Sequence, residues 1–173
     1  EDIPNNEEAF ENEIERLKHT DWLPAIVEGE LDTSVWYAPH ELYQPFRSSA
    51  FDSQVPVLAI RSDRKRSFTG AFLSFLEMTA LPNTSTVVNH LIHCIENEVE
   101  ANDTVYQVLT EKLRDEEDTI SLEKLYSQRC VYSSKHKKYV YPSRVFWIDP
   151  KLPRFCFSAP DWMHRHKELF DFL

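Results

Sequence analysis

The chain has 173 residues, 42% of them hydrophobic, and a formal net charge of −10, so it can bury one substantial core or two small ones. No apolar run approaches the roughly 18–20 residues that a membrane span needs, and the acidic charge argues against a protein whose whole surface binds nucleic acid. Its two glycines, Gly29 and Gly70, cannot form the glycine-rich loops that hold phosphates, which excludes P-loop, dinucleotide-binding and kinase-type sites.

The cysteines and the first residues bear on the cellular compartment. Cys94, Cys130 and Cys156 are an odd, sparse set without C-x-x-C spacing, which does not suit a disulfide framework. The first twenty residues carry seven acidic side chains and no apolar stretch, so they do not resemble a secretory signal. We therefore expect an intracellular protein, cytoplasmic or nuclear, with no membrane partner.

The first half of the chain predicts a helix, a hairpin, a one-turn helix, a strand and a buried second helix. Apolar residues recur every three or four positions in the helices, and short β-branched or aromatic runs around Glu28-Gly29-Glu30 favour the hairpin. Phe72 and Phe75 are expected to lie in the buried helix. The predicted elements are 7–18, 21–27 with 35–39, 40–43, 55–60 and a helix starting near Thr69.

The second half predicts three helices, another hairpin, a strand and a final helix. The apolar face of the first of these helices, with Val88, Leu91 and Ile95, is the clearest periodic pattern in the chain. A polar turn at Ser133 to Lys138 separates the two hairpin strands. The predicted elements are helices 84–101, 103–115 and 119–127, strands 129–132 and 139–142, a strand at 154–158 and a helix at 160–173.

The two hairpins share a sequence pattern. Residues 36–43 and 139–146 both read aromatic, bulky, any residue, proline, two polar, aliphatic, aromatic, and the prolines are 103 positions apart. A chance match between two hairpin ends is the alternative, because aromatics and proline are common there. The repeat predicts an α+β fold with two related units of short antiparallel hairpins packed with helices, at 1–83 and 84–173, or one continuous domain made of both.

Several of these segments resemble parts of very large sacsin-like and NO VEIN-like proteins. In that family a GHKL-type, chaperone-like ATPase domain is followed by long regions of such units. The glycine-rich lid loops of the ATPase have no counterpart in this chain, so the resemblance implies a non-catalytic, chaperone-related scaffold region. The segments that carry it are Asp21-Trp22-Leu23-Pro24, residues 36–39 with Leu42-Tyr43, residues 45–51, 87–91, 105–109 and 141–146, and Leu169-Phe170.

Three residue pairs have side chains suited to metal binding or nucleophilic catalysis. Two ligands do not make a metal site, and no nucleophile motif surrounds either the histidines or the cysteines. We therefore predict no metal, no cofactor and no catalytic residue, with Cys94 packed beside a surface histidine. The pairs are His90 with Cys94, His164 with His166 on a polar helix face, and Cys130 with His136.

Two basic runs are the candidate binding residues. Such clusters in an acidic chain can bind phosphates or an acidic partner, and nearby aromatics offer stacking surfaces, although solvated turns are also often rich in lysine. The tryptophans Trp22, Trp36, Trp147 and Trp162 are expected to anchor the core or the hairpins, and an exposed one would be a candidate hot spot. The basic residues are Arg61, Arg64, Lys65, Arg66, Lys135, Lys137 and Lys138.

The favoured function is a protein–protein interaction or structural module of a larger chaperone-like, ATPase-containing protein. Its partners would be another protein or neighbouring domains of the same chain. A nucleic-acid or phospholigand-binding module that uses the basic hairpin loops is the second hypothesis. An enzyme of unrecognised type is the third.

Overall fold

A computed structural model describes residues 6–60, 69–115, 118–146 and 157–173. The fold is α+β, as predicted, with helices and antiparallel hairpins. The chain divides into two compact units, Glu1–Pro82 (unit 1) and Asn83–Leu173 (unit 2). None of the helices in the described ranges combines the length and apolar content that crossing a membrane requires.

Among the described residues, unit 1 is built on a three-stranded antiparallel sheet with the order β2-β1-β3. Strand β1 lies in the middle because it pairs with β2 through the hairpin and with β3 on its other edge. A small core forms where α2 packs on the sheet, around Ala25, Leu42, Leu58 and Leu73. The elements are α1 (Asn6–Lys18), β1 (Leu23–Val27), β2 (Glu30–Tyr37), 3₁₀ helices at Pro39–Glu41 and Ser48–Phe51, β3 (Val57–Leu58) and α2 (Gly70–Phe75).

The turn between β1 and β2 contains two residues with positive φ, Glu28 at 52° and Gly29 at 81°. Two left-handed residues match the right-handed twist of a hairpin, which is why Asn-Gly and Gly-Gly are the preferred pairs there. Glycine accepts this conformation freely, whereas glutamate at Glu28 is strained by its Cβ. The turn thus combines one well-suited residue and one strained one.

Replacing Glu28 with asparagine is expected to raise the free energy of unfolding of unit 1 by up to about 1 kcal/mol, because asparagine tolerates the left-handed region better. Urea denaturation followed by circular dichroism measures the change. Glu30→Asn is the matched control, since it removes the same charge from an extended position. An equal gain in both variants would show that loss of charge, not relief of backbone strain, stabilises the unit.

Strand β2 is longer than predicted and bulges away from β1. The register runs from Ala25 opposite Asp32 to Leu23 opposite Tyr37, so five steps along β2 match two along β1. The Asp32 carboxylate accepts hydrogen bonds from the Ser34 backbone N–H and hydroxyl, at 2.9 and 2.6 Å. These bonds lower the pKa of Asp32. They lie within the irregular stretch of β2, where Trp36 is 58% exposed.

Within the described ranges, unit 2 has three helices, a hairpin, a short parallel strand pair and two final helices. Tyr106, Leu109, Leu122 and Leu125 are among its fully buried side chains. The predicted helix 160–173 is wrong as one element, because it breaks at His166. The elements are α3 (Thr84–Glu96), α4 (Asp103–Arg114), α5 (Thr119–Glu123), β4 (Val131–Ser133), β5 (Lys138–Val140), a 3₁₀ helix at Pro142–Arg144, β6 (Val145–Phe146), β7 (Phe157–Ser158), α6 (Asp161–Arg165) and α7 (Lys167–Phe172).

Helix α3 ends at Glu96, earlier than predicted, and both α2 and α3 are followed, two residues after their last helical residue, by a glutamate with positive φ. Glu98 follows α3 with φ 55°, and the Val99 N–H donates to the Cys94 carbonyl at 2.9 Å. Glu77 does the same after α2, where the Met78 N–H reaches the Leu73 carbonyl at 3.1 Å. This is the usual left-handed end of a helix, normally formed by glycine. Because glutamate takes the place of glycine at these two positions, the usual sequence signal for a helix end is absent.

The repeated sequence pattern has the same local conformation in both units. Pro39 and Pro142 each open a 3₁₀ helix directly after a hairpin. The chain then pairs in parallel with a later strand: Tyr43 with Val57 in unit 1, and β6 with β7 in unit 2. The Leu58 N–H donates to the Tyr43 carbonyl at 3.0 Å, and the Ala159 N–H donates to the Phe146 carbonyl at 2.9 Å. The pattern thus corresponds to a shared hairpin–turn–parallel-strand motif.

Candidate functional site

Unit 1 contains an apolar groove of about 210 Å³ between the sheet and α2. Leu73 and Leu76 face the core, so α2 presents Phe72 to the groove and Phe75 to the surface beyond it. The prediction that both phenylalanines are buried is wrong, since they are 47% and 52% exposed. A helix of six residues has one inward face, and it is filled by the leucines. The apolar groove is defined by Trp22, Pro24, Leu58, Ile60, Phe72 and Leu76.

Hydrogen bonds hold the sheet side of the groove in place. The indole N–H of Trp22 donates to the Leu17 carbonyl at 2.9 Å, which fixes the ring against the end of α1. The Ala59 N–H donates to the Pro24 carbonyl at 3.0 Å and joins the two strand segments that form the floor. Trp22 is nevertheless 40% exposed. A fixed but exposed indole beside an apolar groove has the features of an interface hot spot.

The groove lies in the acidic unit. Residues 1–82 carry 15 acidic and 7 basic side chains, a net −8 of the chain's −10. Lys18 is held by Glu15 and Glu77, with Nζ–carboxylate distances of 2.7 and 2.9 Å. The paired ammonium group lowers the pKa of Glu77. An approaching partner with positive charge is therefore favoured over an acidic one.

The structure describes only three of the seven basic residues that were predicted as a binding site. Arg61, Arg64, Lys65 and Arg66 lie outside the described residues. Lys135 and Lys137 are exposed in the turn of the β4–β5 hairpin. Lys138 begins β5, and its Nζ lies 5.5 Å from the ring centroid of Phe157.

Lys138 joins two arginines that the sequence analysis missed. The Arg129 and Arg144 guanidinium carbons lie 5.5 and 5.8 Å from the Tyr141 ring centroid, within cation–π range. These residues line a concavity of about 150 Å³, the basic concavity, formed by Arg129, Lys138, Tyr141, Arg144 and Phe157. No carboxylate in the described part of the chain forms an ion pair with its three cationic side chains. Arg129 and Arg144 are not part of a basic run in the sequence, so they were not predicted as binding residues. Only the folded hairpin brings them close to Lys138.

The cysteine–histidine pairs are packed inside unit 2. His90 is 7% exposed, so the expected surface position is wrong, and its Nε2 lies 3.5 Å from the Cys94 sulfur. Burial raises the pKa of the Cys94 thiol, and it raises that of Cys130 to about 12. Such thiols stay protonated at neutral pH and are poor nucleophiles. The described residues contain no group of three metal-ligating side chains that could hold an ion.

His166 also departs from prediction, because it is buried and not on a polar face. Its Nδ1 lies 3.2 Å from the Thr110 hydroxyl, and its Nε2 lies 3.2 Å from the Asp103 carboxylate. An acid, a histidine and a hydroxyl in a row suggest a catalytic triad. However, Thr110 is buried, and its hydroxyl donates to the Tyr106 carbonyl at 2.8 Å. The row therefore joins α4 to the break between α6 and α7 and does not present a nucleophile.

Comparison of the chain with protein-family models, with curated proteins and with solved structures gave no match. The similarity to sacsin-like and NO VEIN-like proteins therefore remains a prediction that depends on the segments quoted above. The apolar groove of unit 1 and the basic concavity of unit 2 are two candidate binding sites in the described part of the chain.

Proposed function

We propose that the chain is a non-catalytic protein–protein interaction or structural module that receives a partner in the apolar groove. The observation that carries the proposal is a nearly wholly apolar groove with two half-exposed aromatic rings, Trp22 and Phe72, at its rim. Single exposed apolar side chains are ordinary on protein surfaces, but a concave apolar site with fixed aromatic walls favours binding.

The size of the groove indicates what it receives. A closed cavity of about 150 Å³ lined by aliphatic and aromatic groups is large enough for benzene. A groove of about 210 Å³ therefore suits one bulky apolar side chain of a partner. The net charge of −8 over residues 1–82 favours lysine or arginine beside that anchor. The proposed occupant is a short protein segment with an aromatic or leucine anchor and basic flanks.

The kind of protein to which this module would belong is proposed from the sequence resemblance. In a sacsin-like or NO VEIN-like protein, the module would be an intracellular scaffold region distinct from the chaperone-like ATPase domain. Its partner would be another protein or a neighbouring domain of the same chain. The burial of Cys94, Cys130 and Thr110 supports a non-catalytic role, because the thiols and the hydroxyl that lie nearest to histidines are not accessible to solvent.

A phospholigand-binding role for unit 2 is the second candidate function, and the basic concavity favours it.

The test uses a lysine-flanked nonapeptide with a central Phe-Leu pair, and the full chain labelled with 5-fluorotryptophan. We expect saturable binding that shifts the ¹⁹F resonance of Trp22 and leaves that of Trp162 unchanged. Phe72→Ser is expected to weaken binding about tenfold or more, because truncating an aromatic wall of an interface pocket removes a hot-spot contact. Peptides with glutamate flanks or an Ala-Ala centre are expected to bind more weakly.

Phe75→Ser is the matched control, because Phe75 is an equally exposed phenylalanine on the same helix that does not line the groove. It is expected to leave the peptide affinity unchanged. Equal losses in the two variants, or a peptide that binds without moving the Trp22 resonance, would overturn the assignment of the groove.

A further inference from the structure

The basic concavity concentrates positive charge in a chain that is acidic as a whole. Three cationic side chains, Arg129, Lys138 and Arg144, converge on two aromatic rings in a chain of net charge −10. Among the described residues they have cation–π contacts but no ion pair. In an acidic protein, cations that are not neutralised by nearby carboxylates attract anions to that place.

The repeated motif of unit 2 brings these residues together. Arg129 precedes β4, Lys138 begins β5, and Arg144 ends the 3₁₀ helix that Tyr141 leads into. The parallel pairing of β6 with β7 adds Phe157, opposite Val145. The Phe157 ring also makes an edge-to-face contact with the His136 ring, and the two ring centroids are 4.8 Å apart. The hairpin, the 3₁₀ helix and β7 therefore each supply part of one concave surface.

We propose that the basic concavity binds a phosphomonoester group. Guanidinium groups match the oxygen geometry of phosphate with paired N–H donors, and the Lys138 ammonium adds a point charge. A volume of about 150 Å³ corresponds to about five water molecules at ~30 Å³ each, which suits one phosphoryl group and not a whole nucleotide. This site is independent of the apolar groove in unit 1.

Two observations favour a single phosphate over a nucleic acid chain. The Tyr141 ring already contacts two guanidinium groups, so a stacked base would have to displace one. A nucleic acid chain would also extend beyond the concavity onto a unit with no excess of positive charge, since residues 83–173 carry 14 acidic and 12 basic side chains. One compact dianion needs only the three cations of the concavity.

An adjoining cavity of about 260 Å³ indicates what carries the phosphate. It shares Arg129, Tyr139 and Tyr141 with the basic concavity. Its other lining residues are mostly polar: Glu98, Ser127 and Gln128, with Ile95. A polar body attached to the phosphate can therefore lie beside it. A phosphorylated protein side chain and a free sugar phosphate both have this chemistry.

The experiment titrates the full chain with four probes and follows backbone and arginine side-chain ¹H–¹⁵N signals. The probes are inorganic phosphate, a phosphoserine tripeptide with its unphosphorylated counterpart, glucose 6-phosphate, and oligothymidylates of 4 and 12 nucleotides. We expect saturable shifts at Arg129 and Arg144 with the phosphomonoesters and none with the unphosphorylated peptide. Tighter binding of the tripeptide or of the sugar phosphate identifies the source, and either result supports the site.

Arg129→Gln and Arg144→Gln are each expected to weaken phosphomonoester binding about tenfold, because each removes a charge-assisted hydrogen-bond pair. Both side chains are exposed, so both variants should melt at the same temperature as the parent chain. Lys124→Gln, an exposed residue of unit 2 outside the concavity, is the control for net charge and should leave affinity unchanged. The proposal is overturned if no phosphomonoester saturates, if Lys124→Gln weakens binding equally, or if oligothymidylate affinity grows with length and exceeds that of the tripeptide.

Discussion

Tyr106→Phe is expected to lower the free energy of unfolding of unit 2 by about 1–3 kcal/mol, and Tyr106→Ala by about 3–5 kcal/mol. Tyr106 is 1% exposed, and its hydroxyl donates to the Cys130 carbonyl at 3.0 Å. Its ring stacks on Trp162, with centroids 4.2 Å apart, and contacts Phe170. One side chain on α4 thus joins the start of the β4–β5 hairpin and the two final helices.

The two variants separate the contributions of this residue. Phenylalanine keeps the stacked ring but leaves the buried Cys130 carbonyl without its donor, and a buried unsatisfied polar group destabilises the folded state. Alanine also removes the ring and leaves a cavity beside Trp162. Urea denaturation monitored by circular dichroism and by the ¹⁹F signal of Trp162 reports on the unit.

Tyr126→Phe is the control, because Tyr126 is a tyrosine of the same unit that is 47% exposed. It should change the free energy of unfolding by less than about 0.5 kcal/mol. If Tyr106→Phe were as mild as Tyr126→Phe, the hydroxyl bond between α4 and Cys130 would contribute nothing measurable. The position of the hairpin would then depend on apolar packing alone.

Unit 2 is also expected to lose stability steadily as the pH rises from 8 to 11. Burial raises the pKa of Cys130 to about 12, and it raises the pKa values of Tyr106 and Tyr139 well above that of an exposed tyrosine. The unfolded chain would release these protons near pH 8.5 for cysteine and near pH 10 for tyrosine. Each group contributes about 1.4 kcal/mol per pH unit between its unfolded and folded pKa values.

The sign of this pH effect follows from proton binding. The folded unit keeps these three protons where the unfolded chain has released them, so the unfolded state binds fewer protons and stability falls as pH rises. The contribution is fully present below the unfolded pKa values and is lost progressively as pH approaches the folded ones.

Urea denaturation between pH 8 and 11, with tyrosinate absorbance recorded in parallel, measures this loss. Cys130→Ala is expected to reduce the slope by about 1.4 kcal/mol per pH unit, because it removes one of the three protons. Tyr126→Phe, which removes the hydroxyl of an exposed tyrosine of the same unit, should leave the slope unchanged. A flat profile would contradict the burial of these groups, and so would tyrosinate absorbance of the folded unit near pH 10 that Tyr106→Phe or Tyr139→Phe removes.

Local pattern predicted the longer helices and the two hairpins, but not the limits of the helices or the break at His166. The apolar spacing of Val88, Leu91 and Ile95 predicted α3, and the run of β-branched and aromatic residues around Glu28-Gly29 predicted the first hairpin. Helix ends were less accurate, because Glu77 and Glu98 occupy left-handed positions where glycine is the usual signal. Backbone hydrogen bonds to the last turn stabilise these positions, and a sequence pattern does not record such bonds.

The sequence by itself determined the α+β class, the repeated hairpin–turn segment and the exclusion of glycine-rich phosphate loops, because each follows from composition or from residues close together along the chain. Only the tertiary structure decided which apolar face stays exposed on α2, that His90 and His166 are buried, and that Arg129 and Arg144 meet Lys138. Those outcomes depend on strand register and on which helix face finds a partner. Contacts between residues that are distant in sequence depend on how the elements pack together, and no single segment of the sequence encodes that packing.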